Sequence, residues 1–305
     1  MKPAVGRINK RALWSFVGGI LVIFFLLWFH CIPRSKLETS IQRFEDVKIF
    51  CLVLTQPARK KSHAIPLKKT WGRKCTQLLF VSTERDEELP SIEVIKNEES
   101  RSIIWHKTRN AWQYVHDHHR DGFDWYFKVD DDAYVVMENL RSLLASKNKE
   151  DPIAFGHKYK RPNGAYFAGG SGYVMSRSAM IRFVTLGLPM KNTSCPATSS
   201  ENEDWRMGEC LESVGVTLGD DRDSEGRSRF FPLGVEGHIT YADDPGVAPW
   251  FENYTYYPAK PGFQCCSPTG ISTHYITGLD MYAFEYAIYH LRISGMDYPY
   301  SSSLE

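Results

Sequence analysis

The stretch Asp124-Trp125-Tyr126-Phe127-Lys128-Val129-Asp130-Asp131-Asp132 decides how this chain folds. Its aromatic and apolar part, residues 125–129, predicts a buried strand. Three carboxylates follow where that strand ends, and in open α/β sheets ligands bind outside the carboxyl ends of the strands. Neighbouring carboxylates repel one another, so a cation that neutralises them stabilises the arrangement. The stretch therefore predicts a Mg²⁺ or Mn²⁺ site that holds a diphosphate, and a solvated acidic turn is the alternative.

Strand and helix patterns alternate before this stretch. Residues 47–54, 78–81 and 92–95 are short apolar runs that predict strands. Residues 102–119 have helical spacing, with an apolar stripe along one side. This alternation predicts an α/β fold with a largely parallel sheet.

Similar patterns continue after the acid triplet. Residues 134–144 and 178–184 predict helices, residues 154–156 predict a strand, and a last amphipathic helix is expected over about 281–291. The glycine-rich segment 164–176 has neither P-loop nor dinucleotide-loop spacing. Its glycines either let the backbone approach a ligand closely or mark a bulge.

Two later segments leave alternatives open. Glu203 and Asp204 precede a run with helical spacing, so they are either functional acids or a helix cap. Residues 250–257 are rich in aromatic side chains, which form either a sugar-stacking surface or a pair of core strands.

The amino-terminal part predicts a membrane anchor. Residues 12–32 carry no charged side chain and are long enough to span a bilayer as a helix. No small-residue cleavage site follows, which favours a retained anchor over a signal peptide. Basic residues are more numerous before the span than after it, which places the amino terminus in the cytosol. We therefore expect a cytosolic tail over residues 1–11, a transmembrane signal anchor over 12–32, a short stem over 33–46 and a lumenal domain over 47–305.

Cysteine content agrees with a lumenal body. Of the seven cysteines, Cys31 lies at the end of the predicted span, which leaves six in the body. An even number of cysteines in an oxidising compartment predicts up to three disulfides. The short separations favour Cys51–Cys75 and Cys195–Cys210, while a bond between the neighbours Cys265 and Cys266 stays open. No CxxC pair occurs, which argues against a zinc site.

Two further features bear on partners. Asn192 and Asn253 begin glycosylation sequons, as expected of a lumenal surface. Residues 1–36 contain six basic and no acidic residues, which leaves 31 basic and 36 acidic residues in the rest of the chain. A mildly acidic body argues against a nucleic-acid partner.

The motifs and their order resemble the β1,3-glycosyltransferases of family 31, and within them the core 1 galactosyltransferases. The resemblance covers about residues 47–293. It rests on Trp105-His106-Lys107-Thr108, Tyr114-Val115-His116, Asp130-Asp131-Asp132, Asn139-Leu140-Arg141, Gly169-Gly170-Ser171-Gly172-Tyr173, Cys265-Cys266-Ser267 and Tyr289-His290-Leu291-Arg292.

This resemblance implies a fold, an activity and a location. The fold is the nucleotide-sugar-binding fold called GT-A, a Rossmann-like mixed sheet flanked by helices. The activity is transfer of galactose from UDP-galactose to O3 of N-acetylgalactosamine (GalNAc) on Ser or Thr of glycoproteins. The resemblance also implies a homodimer in the membrane of the Golgi or the endoplasmic reticulum, with one span and a lumenal catalytic body.

The resemblance further implies roles for individual residues. Asp132 and His274 are expected to hold Mn²⁺ with help from Asp130, and His238 is the rival of His274. Asp204 is the expected general base of an inverting displacement. The residues expected to contact the donor are Thr55, Arg59, Lys107, Asp130, Asp131 and Gly170. The residues expected on the acceptor side are Glu203, Trp250, Tyr254 and Tyr256.

Three classes of function are compatible with these features. The first is the active galactosyltransferase, and the second is a β1,3-transferase that uses another UDP-sugar. The third is a lumenal chaperone or lectin without catalytic activity. The intact acid triplet favours an enzyme, because the non-catalytic relative in this family lacks it.

Overall fold

The computed structural model describes residues 44, 46–96, 98–190, 194–198, 200–241, 246 and 249–296. The described residues from Val47 onward belong to one compact unit. No helix among the described residues is both long and apolar enough to cross a bilayer. The predicted anchor at 12–32 and the sequon residue Asn192 lie outside the described residues.

Short strands and helices follow one another along the described chain. The strands are β1 (Ile49–Leu54), β2 (Gln77–Ser82), β3 (Ser91–Glu93), β4 (Trp125–Asp130), β5 (Tyr134–Val135), β6 (Ile153–Gly156), β7 (Lys158–Arg161), β8 (Gly164–Phe167), β9 (Tyr173–Ser176), β10 (Thr217–Leu218), β11 (Phe230–Phe231) and β12 (Ser272–Thr273). The α-helices are Ile65–Lys69, Ile104–His119, Met137–Leu144, Arg177–Arg182, Leu188–Met190, Glu203–Ser213, Val235–Thr240, Phe251–Tyr254 and Gly278–Glu285. Single turns of 3₁₀ or π helix occur at Pro57–Arg59, Lys60–Ala64, Trp71–Lys74, Arg101–Ile103, Phe183–Gly187, Gly262–Cys265 and Tyr286–His290.

A seven-stranded mixed sheet forms the centre of the fold, in the order β10-β6-β9-β4-β1-β2-β3. Strands β4, β1, β2 and β3 run parallel, and β10 is parallel to β6. Only β9 is antiparallel to its neighbours within this sheet. The prediction of an α/β fold with a largely parallel sheet is therefore confirmed, and the mixed sheet is consistent with a GT-A fold.

The first strand shows why its sequence is apolar throughout. Phe50, Leu52 and Leu54 belong to one buried cluster. Ile49, Cys51 and Val53 belong to another. Side chains of a strand alternate between the two faces of its sheet, so a sheet covered on both faces requires an uninterrupted apolar strand.

The register between β1 and β4 places the acid triplet at the same edge of the sheet as the end of β1. Leu54 pairs with Asp130, so both strands end at the same level. The Asp131 backbone N–H donates to the Leu54 carbonyl oxygen at 3.2 Å. The residues after both strands, Thr55 and the acid triplet, consequently meet at one edge of the sheet.

One predicted helix is partly wrong. Tyr134–Val135 is not helical but forms β5, which pairs antiparallel with Ser272–Thr273. The Val136 backbone N–H donates to the Ile271 carbonyl oxygen at 2.7 Å, and the helix begins only at Met137. Pairing with a distant segment overrides the local helical spacing, because these backbone groups have strand partners available.

The aromatic segment 250–257 is not a pair of core strands. It contains the short helix Phe251–Tyr254, and the side chains of Trp250 and Tyr254 are 38% and 42% exposed. The sequon residue Asn253 is also exposed on this helix.

Three disulfides join the six cysteines considered above. Cys51 bonds to Cys75 and Cys195 to Cys210, as their spacing favoured. Cys265 bonds to its neighbour Cys266, which answers the question left open by the sequence. The bond to Cys210 ties the segment at Cys195 to the helix Glu203–Ser213, whose first turn carries Asp204.

Candidate active site

A cavity of about 720 Å³ lies at the carboxyl edge of strands β1 and β4. The ends of these strands contribute Thr55 and the acid triplet. Gly169 and Gly170 line the cavity from the loop between β8 and β9, and Asp204 lines it from the first turn of its helix. The cavity is therefore lined by acids, by the cations Arg59 and Lys107 and by glycines of the loop.

Two acids and one histidine form a cluster in this cavity. Asp130, Asp132 and His274 each offer a ligand atom, and these atoms lie within 4.8 Å of one another. His274 Nε2 is 3.0 Å from Asp132 Oδ1. The opposite ring nitrogen, Nδ1, lies 3.3 Å from the Pro232 carbonyl oxygen. That oxygen can only accept, so in a neutral ring Nδ1 carries the proton and the Nε2 lone pair faces the acids.

The short strand pairing brings His274 to the acids. Tyr134–Val135 follows the triplet, and Ser272–Thr273 directly precedes His274, so their pairing places the histidine beside Asp132. The His274 backbone N–H donates to the Phe231 carbonyl oxygen at 3.0 Å, and Ile276 N–H donates to the Asp132 carbonyl oxygen at 2.8 Å. Backbone hydrogen bonds on both sides thus hold the ring in place.

The cluster fits a divalent cation. A Cβ atom at Gly170 would lie 2.1 Å from His274 Cε1, so only glycine leaves room for the ring at this position. Carboxylate oxygens suit Mg²⁺ and Mn²⁺, and a neutral imidazole nitrogen is a common ligand of protein-bound metals. His238, the rival, lies elsewhere: its Nε2 faces the Leu233 N–H at 3.2 Å, and burial lowers its pKa to about 4.

The guanidinium of Arg59 bridges two acids of the triplet, Asp131 and Asp132. Arg59 Nη2 lies 3.0 Å from Asp131 Oδ1 and 3.0 Å from Asp132 Oδ2. The Arg59 Nε atom is buried and has no hydrogen-bond partner among the described residues. A buried donor without an acceptor is costly, so this arginine is suited to bind an anion.

The central acid of the triplet, Asp131, differs from Asp132 in the direction of its pKa shift. Asp131 is buried, and Thr55 donates its hydroxyl to Asp131 Oδ2 at 2.6 Å. Burial raises the pKa of Asp131 to about 7, although Thr55 and Arg59 act in the opposite direction. Burial also acts to raise the pKa of Asp132, but a hydrogen bond from His274 with its Nε2 protonated, together with the Arg59 guanidinium, outweighs it and lowers that pKa overall. Asp132 therefore stays ionised near neutral pH.

Lys107 completes the donor side predicted from the sequence. Its Nζ contacts the Thr55 carbonyl oxygen at 2.5 Å and Glu99 Oε1 at 2.5 Å. Burial lowers the pKa of Lys107, and Glu99 acts against this effect. All residues expected to contact the donor line the cavity.

Asp204 lies in the first turn of its helix and does not cap it, because the N-cap residue is Asn202. Its Oδ1 accepts from the Trp205 backbone N–H at 2.8 Å. Burial raises the pKa of Asp204. A partly buried carboxylate with a raised pKa can accept a proton near neutral pH.

Sequence analysis missed a buried lysine next to these groups. Lys128 Nζ is 2.8 Å from Asp130 Oδ1, 3.3 Å from Glu203 Oε2 and 3.1 Å from the Gly169 carbonyl oxygen. Burial acts to lower the pKa of Lys128, but Asp130 and Glu203 raise it overall, so the ammonium stays charged. A lysine inside an otherwise apolar strand was the signal that the sequence offered.

Aromatic side chains form the opposite wall. Trp250 and Tyr254 line the cavity, as do Tyr159 and Tyr166, which the sequence did not single out. Tyr256 does not line the cavity, and its ring centroid lies 4.9 Å from that of Tyr257. Its predicted acceptor contact therefore has no support from its position.

A further missed residue is Tyr275, which lines the cavity and stacks on His274 with ring centroids 4.0 Å apart. Its φ of 60° is in the left-handed region, which is unusual for a bulky side chain. Such strained residues cluster at functional sites.

Comparisons with known proteins agree with this geometry. The sequence model of the Fringe-like family matches residues 44–221. Glycoprotein-N-acetylgalactosamine 3-beta-galactosyltransferase 1 of Xenopus laevis is 40% identical over 277 residues, or 90% of this chain and 75% of that protein.

More distant relatives match shorter parts of the chain. Beta-1,3-glucosyltransferase of Mus musculus is 29% identical over 167 residues, or 52% of this chain and 32% of that protein. Chondroitin sulfate synthase 3 of Homo sapiens is 27% identical over 116 residues, or 34% of this chain and 13% of that protein. The chain belongs to the Fringe-like family and is a glycosyltransferase.

Proposed function

We propose that this protein transfers galactose from UDP-galactose to O3 of GalNAc linked to Ser or Thr of glycoproteins, with inversion and with Mn²⁺. The observation that carries the proposal is that one cavity joins the Asp130–Asp132–His274 cluster to Asp204. Similarity to the Xenopus galactosyltransferase over 90% of this chain supports the choice of donor and acceptor.

The acid cluster is assigned to the donor diphosphate. Asp132, His274 and Asp130 would hold Mn²⁺, which when bound supplies Lewis-acid stabilisation of negative charge on the departing UDP. The buried Nε–H of Arg59 meets no acceptor within the described part of the chain, and we assign this donor to a phosphate oxygen. Gly170 has no Cβ, so it leaves space for the ring of His274 beside the backbone of the loop.

Asp204 is assigned as general base. It takes the proton of the acceptor O3 while O3 bonds to the anomeric carbon of galactose. The bond from that carbon to the UDP oxygen breaks, and UDP leaves with the electron pair. Glu203 beside it is already held by Lys128 and by the Tyr173 hydroxyl at 2.9 Å. A single base without a carboxylate nucleophile corresponds to inversion, by analogy with glycosidases.

The aromatic wall is assigned to the acceptor. Trp250 and Tyr254 are partly exposed on the side of the cavity that also carries Tyr159. Aromatic faces bind the apolar C–H surface of a sugar, and Glu203 also lines the cavity. Tyr256 is left out of the proposed acceptor contacts because of its position.

A second candidate is transfer of another sugar from its UDP derivative. The similarity to a beta-1,3-glucosyltransferase over 52% of this chain favours keeping this candidate. The cavity residues assigned to the diphosphate would serve any UDP-sugar, so the contacts to the sugar ring decide between the two candidates.

The test is a transfer assay with the purified full-length protein in detergent. We expect one hexose to pass from UDP-galactose to a GalNAc-Thr glycopeptide in the presence of Mn²⁺. NMR of the product should show that the new bond is at O3 of GalNAc. Asp132→Asn and a chelator should each abolish transfer, and Asp204→Asn should lower it about 10²–10⁴-fold. Asp121→Asn should not, because this exposed acid precedes the opposite end of strand β4 and does not line the cavity.

Other outcomes separate the alternatives. If the folded protein transfers a different sugar in a competition among UDP-sugars, the second candidate replaces the first. If it transfers none of them, the non-catalytic chaperone or lectin is the better assignment.

Membrane placement and assembly are proposed on the resemblance. We assign a single-pass Golgi protein with a lumenal catalytic body, anchored by residues 12–32, that forms a homodimer. Protease protection in sealed vesicles tests the topology, and light scattering of the detergent-solubilised protein tests the dimer.

A further inference from the structure

We propose that Lys128 is a positioning residue that fixes the metal-binding carboxylate of Asp130 relative to the helix start that carries Asp204. The inference rests on the proposed function, because it assigns Lys128 a role between the metal ligands and the base. Lys128 itself touches neither donor nor acceptor in this arrangement.

The hydrogen bonds of Lys128 reach three separate segments. Its ammonium has three N–H groups, and three acceptors surround it at 2.8, 3.1 and 3.3 Å. Asp130 ends the same strand, Gly169 lies in the glycine-rich loop, and Glu203 begins the helix. One buried cation thus connects the metal cluster, the loop and the helix start.

Stability alone does not explain a lysine at this position. Lys128 is fully buried between the apolar residues Phe127 and Val129. A buried ion pair is often no more stabilising than a well-packed apolar side chain of similar size. The charge therefore indicates a requirement for defined geometry at the cavity.

The glycine-rich loop also packs against the helix start that carries Glu203 and Asp204. A Cβ atom at Gly169 would lie 2.9 Å from Glu203 Oε2 and 3.2 Å from Asp204 Cβ. The next residue, Gly170, lies against the ring of His274. By holding the Gly169 carbonyl, Lys128 also sets the position of the loop that borders the histidine.

Glu203 is fixed from its other side. Tyr173, which pairs with Lys128 across strands β9 and β4, donates its hydroxyl to Glu203 Oε1 at 2.9 Å. Both oxygens of Glu203 are therefore engaged. Because the adjacent residue is Asp204, this bonding limits how the base can move relative to Asp130.

The test measures Mn²⁺ affinity without donor or acceptor, by electron paramagnetic resonance of the free ion. The main variant is the pair Lys128→Met with Glu203→Gln, which removes one charge of each sign and leaves the net charge unchanged. We expect this variant to bind Mn²⁺ about ten- to a hundredfold more weakly, as is typical when a group that orients a metal ligand is lost.

A double-mutant cycle tests whether Lys128 affects Mn²⁺ affinity through Asp130. Asp130→Asn should weaken Mn²⁺ binding, and adding it to the pair variant should cause little further loss, since Lys128 acts through Asp130. Arg109→Met is the matched control. Arg109 is a buried cation that donates to the Leu188 carbonyl oxygen at 3.0 Å, so its removal should lower the melting temperature without changing Mn²⁺ affinity.

Lys128→Arg provides a second test if the pair variant does not fold. It keeps the buried charge, but a planar guanidinium cannot direct three donors from one atom. We expect several-fold weaker Mn²⁺ binding in the folded variant. Wild-type affinity in this variant, wild-type affinity in a folded pair variant, or full additivity with Asp130→Asn would overturn the proposal.

The transfer assay separates this inference from the proposed function. A wild-type protein that binds Mn²⁺ but transfers no sugar contradicts the proposed function, while the affinities of the variants still test Lys128. A wild-type protein that binds no Mn²⁺ overturns both.

Discussion

Gly170 and His274 are complementary at the scale of single atoms. The ring of His274 occupies the space that any Cβ at position 170 would fill. Since Nε2 of the same ring faces Asp132 at 3.0 Å, a change at the glycine acts directly on the proposed metal ligands.

We therefore expect Gly170→Ala to move the imidazole away from Asp132. Mn²⁺ affinity, measured by titration, and transfer activity should both fall by at least about tenfold, a typical cost of disturbing a metal ligand's surroundings. Gly262→Ala is the control: its φ of 54° lies in the left-handed region, so alanine costs some stability there, but a Cβ meets nothing within 4 Å and Mn²⁺ affinity should not change. Equal effects of the two changes would show that the contact with His274 is unimportant.

The proposed role of Asp204 as general base predicts how activity depends on pH. A general base works as the carboxylate, so activity is present above its pKa and lost as the pH falls through it. Burial raises the pKa of Asp204, so the acid limb of kcat/KM should lie at higher pH than for an exposed aspartate. The measurement is the pH profile of kcat/KM between mildly acidic and neutral pH.

The matching variant is Asp204→Asn, which should lower kcat about 10²–10⁴-fold, the usual contribution of a positioned base. Its residual activity should no longer follow the acid limb. An unchanged limb in this variant would assign the titration to a different group.

At the scale of elements, the ends of two strands and the start of one helix build the cavity. Strands β1 and β4 place their last residues side by side. The helix Glu203–Ser213 contributes Asp204 from its first turn, and a disulfide from Cys210 holds this helix to the segment at Cys195.

We expect loss of this disulfide to destabilise the fold. The sequence separation of Cys195 and Cys210 is 15, so replacing both by Ser should lower the free energy of unfolding by about 3 kcal/mol in the loop-entropy description. The measurement is urea unfolding without reductant.

The Cys265–Cys266 bond offers a control within the same chain. These residues are adjacent and their bond encloses almost no chain, so replacing both by Ser should have a much smaller effect. A loss as large as that for the Cys195–Cys210 pair would argue against chain entropy as the cause.

At the scale of the whole molecule, the proposed metal links the cavity to global stability. A ligand that binds only the folded state stabilises it, by about 2.7 kcal/mol at a concentration of 100 Kd. We expect Mn²⁺ to raise the melting temperature of the wild-type protein and a chelator to reverse the rise. The measurement is differential scanning calorimetry.

Two variants test whether the stabilisation comes from the cavity. Asp132→Asn should abolish the response to Mn²⁺, because it removes a proposed ligand. Asp121→Asn, at an exposed acid, should keep it. A response that persists in Asp132→Asn would place the stabilising ion elsewhere.

Local patterns predicted much of this architecture. The strand before the acid triplet, the helix at Ile104–His119 and two of the disulfides follow from composition, periodicity and spacing. Residues 134–135 were predicted helical, because their spacing continues that of the following helix. Nothing nearby in the chain indicates their partner, Ser272–Thr273.

The amino-acid sequence by itself determined the central strand, the acids at its end and the α/β class, since apolar runs and helical periodicity are properties of neighbouring residues. Only the tertiary structure decided which histidine meets the acids. His274 lies 142 residues from Asp132, and the pairing of two short strands brings them together. Likewise, the three partners of Lys128 meet only when strand, loop and helix pack, because long-range contacts leave no local pattern in the chain.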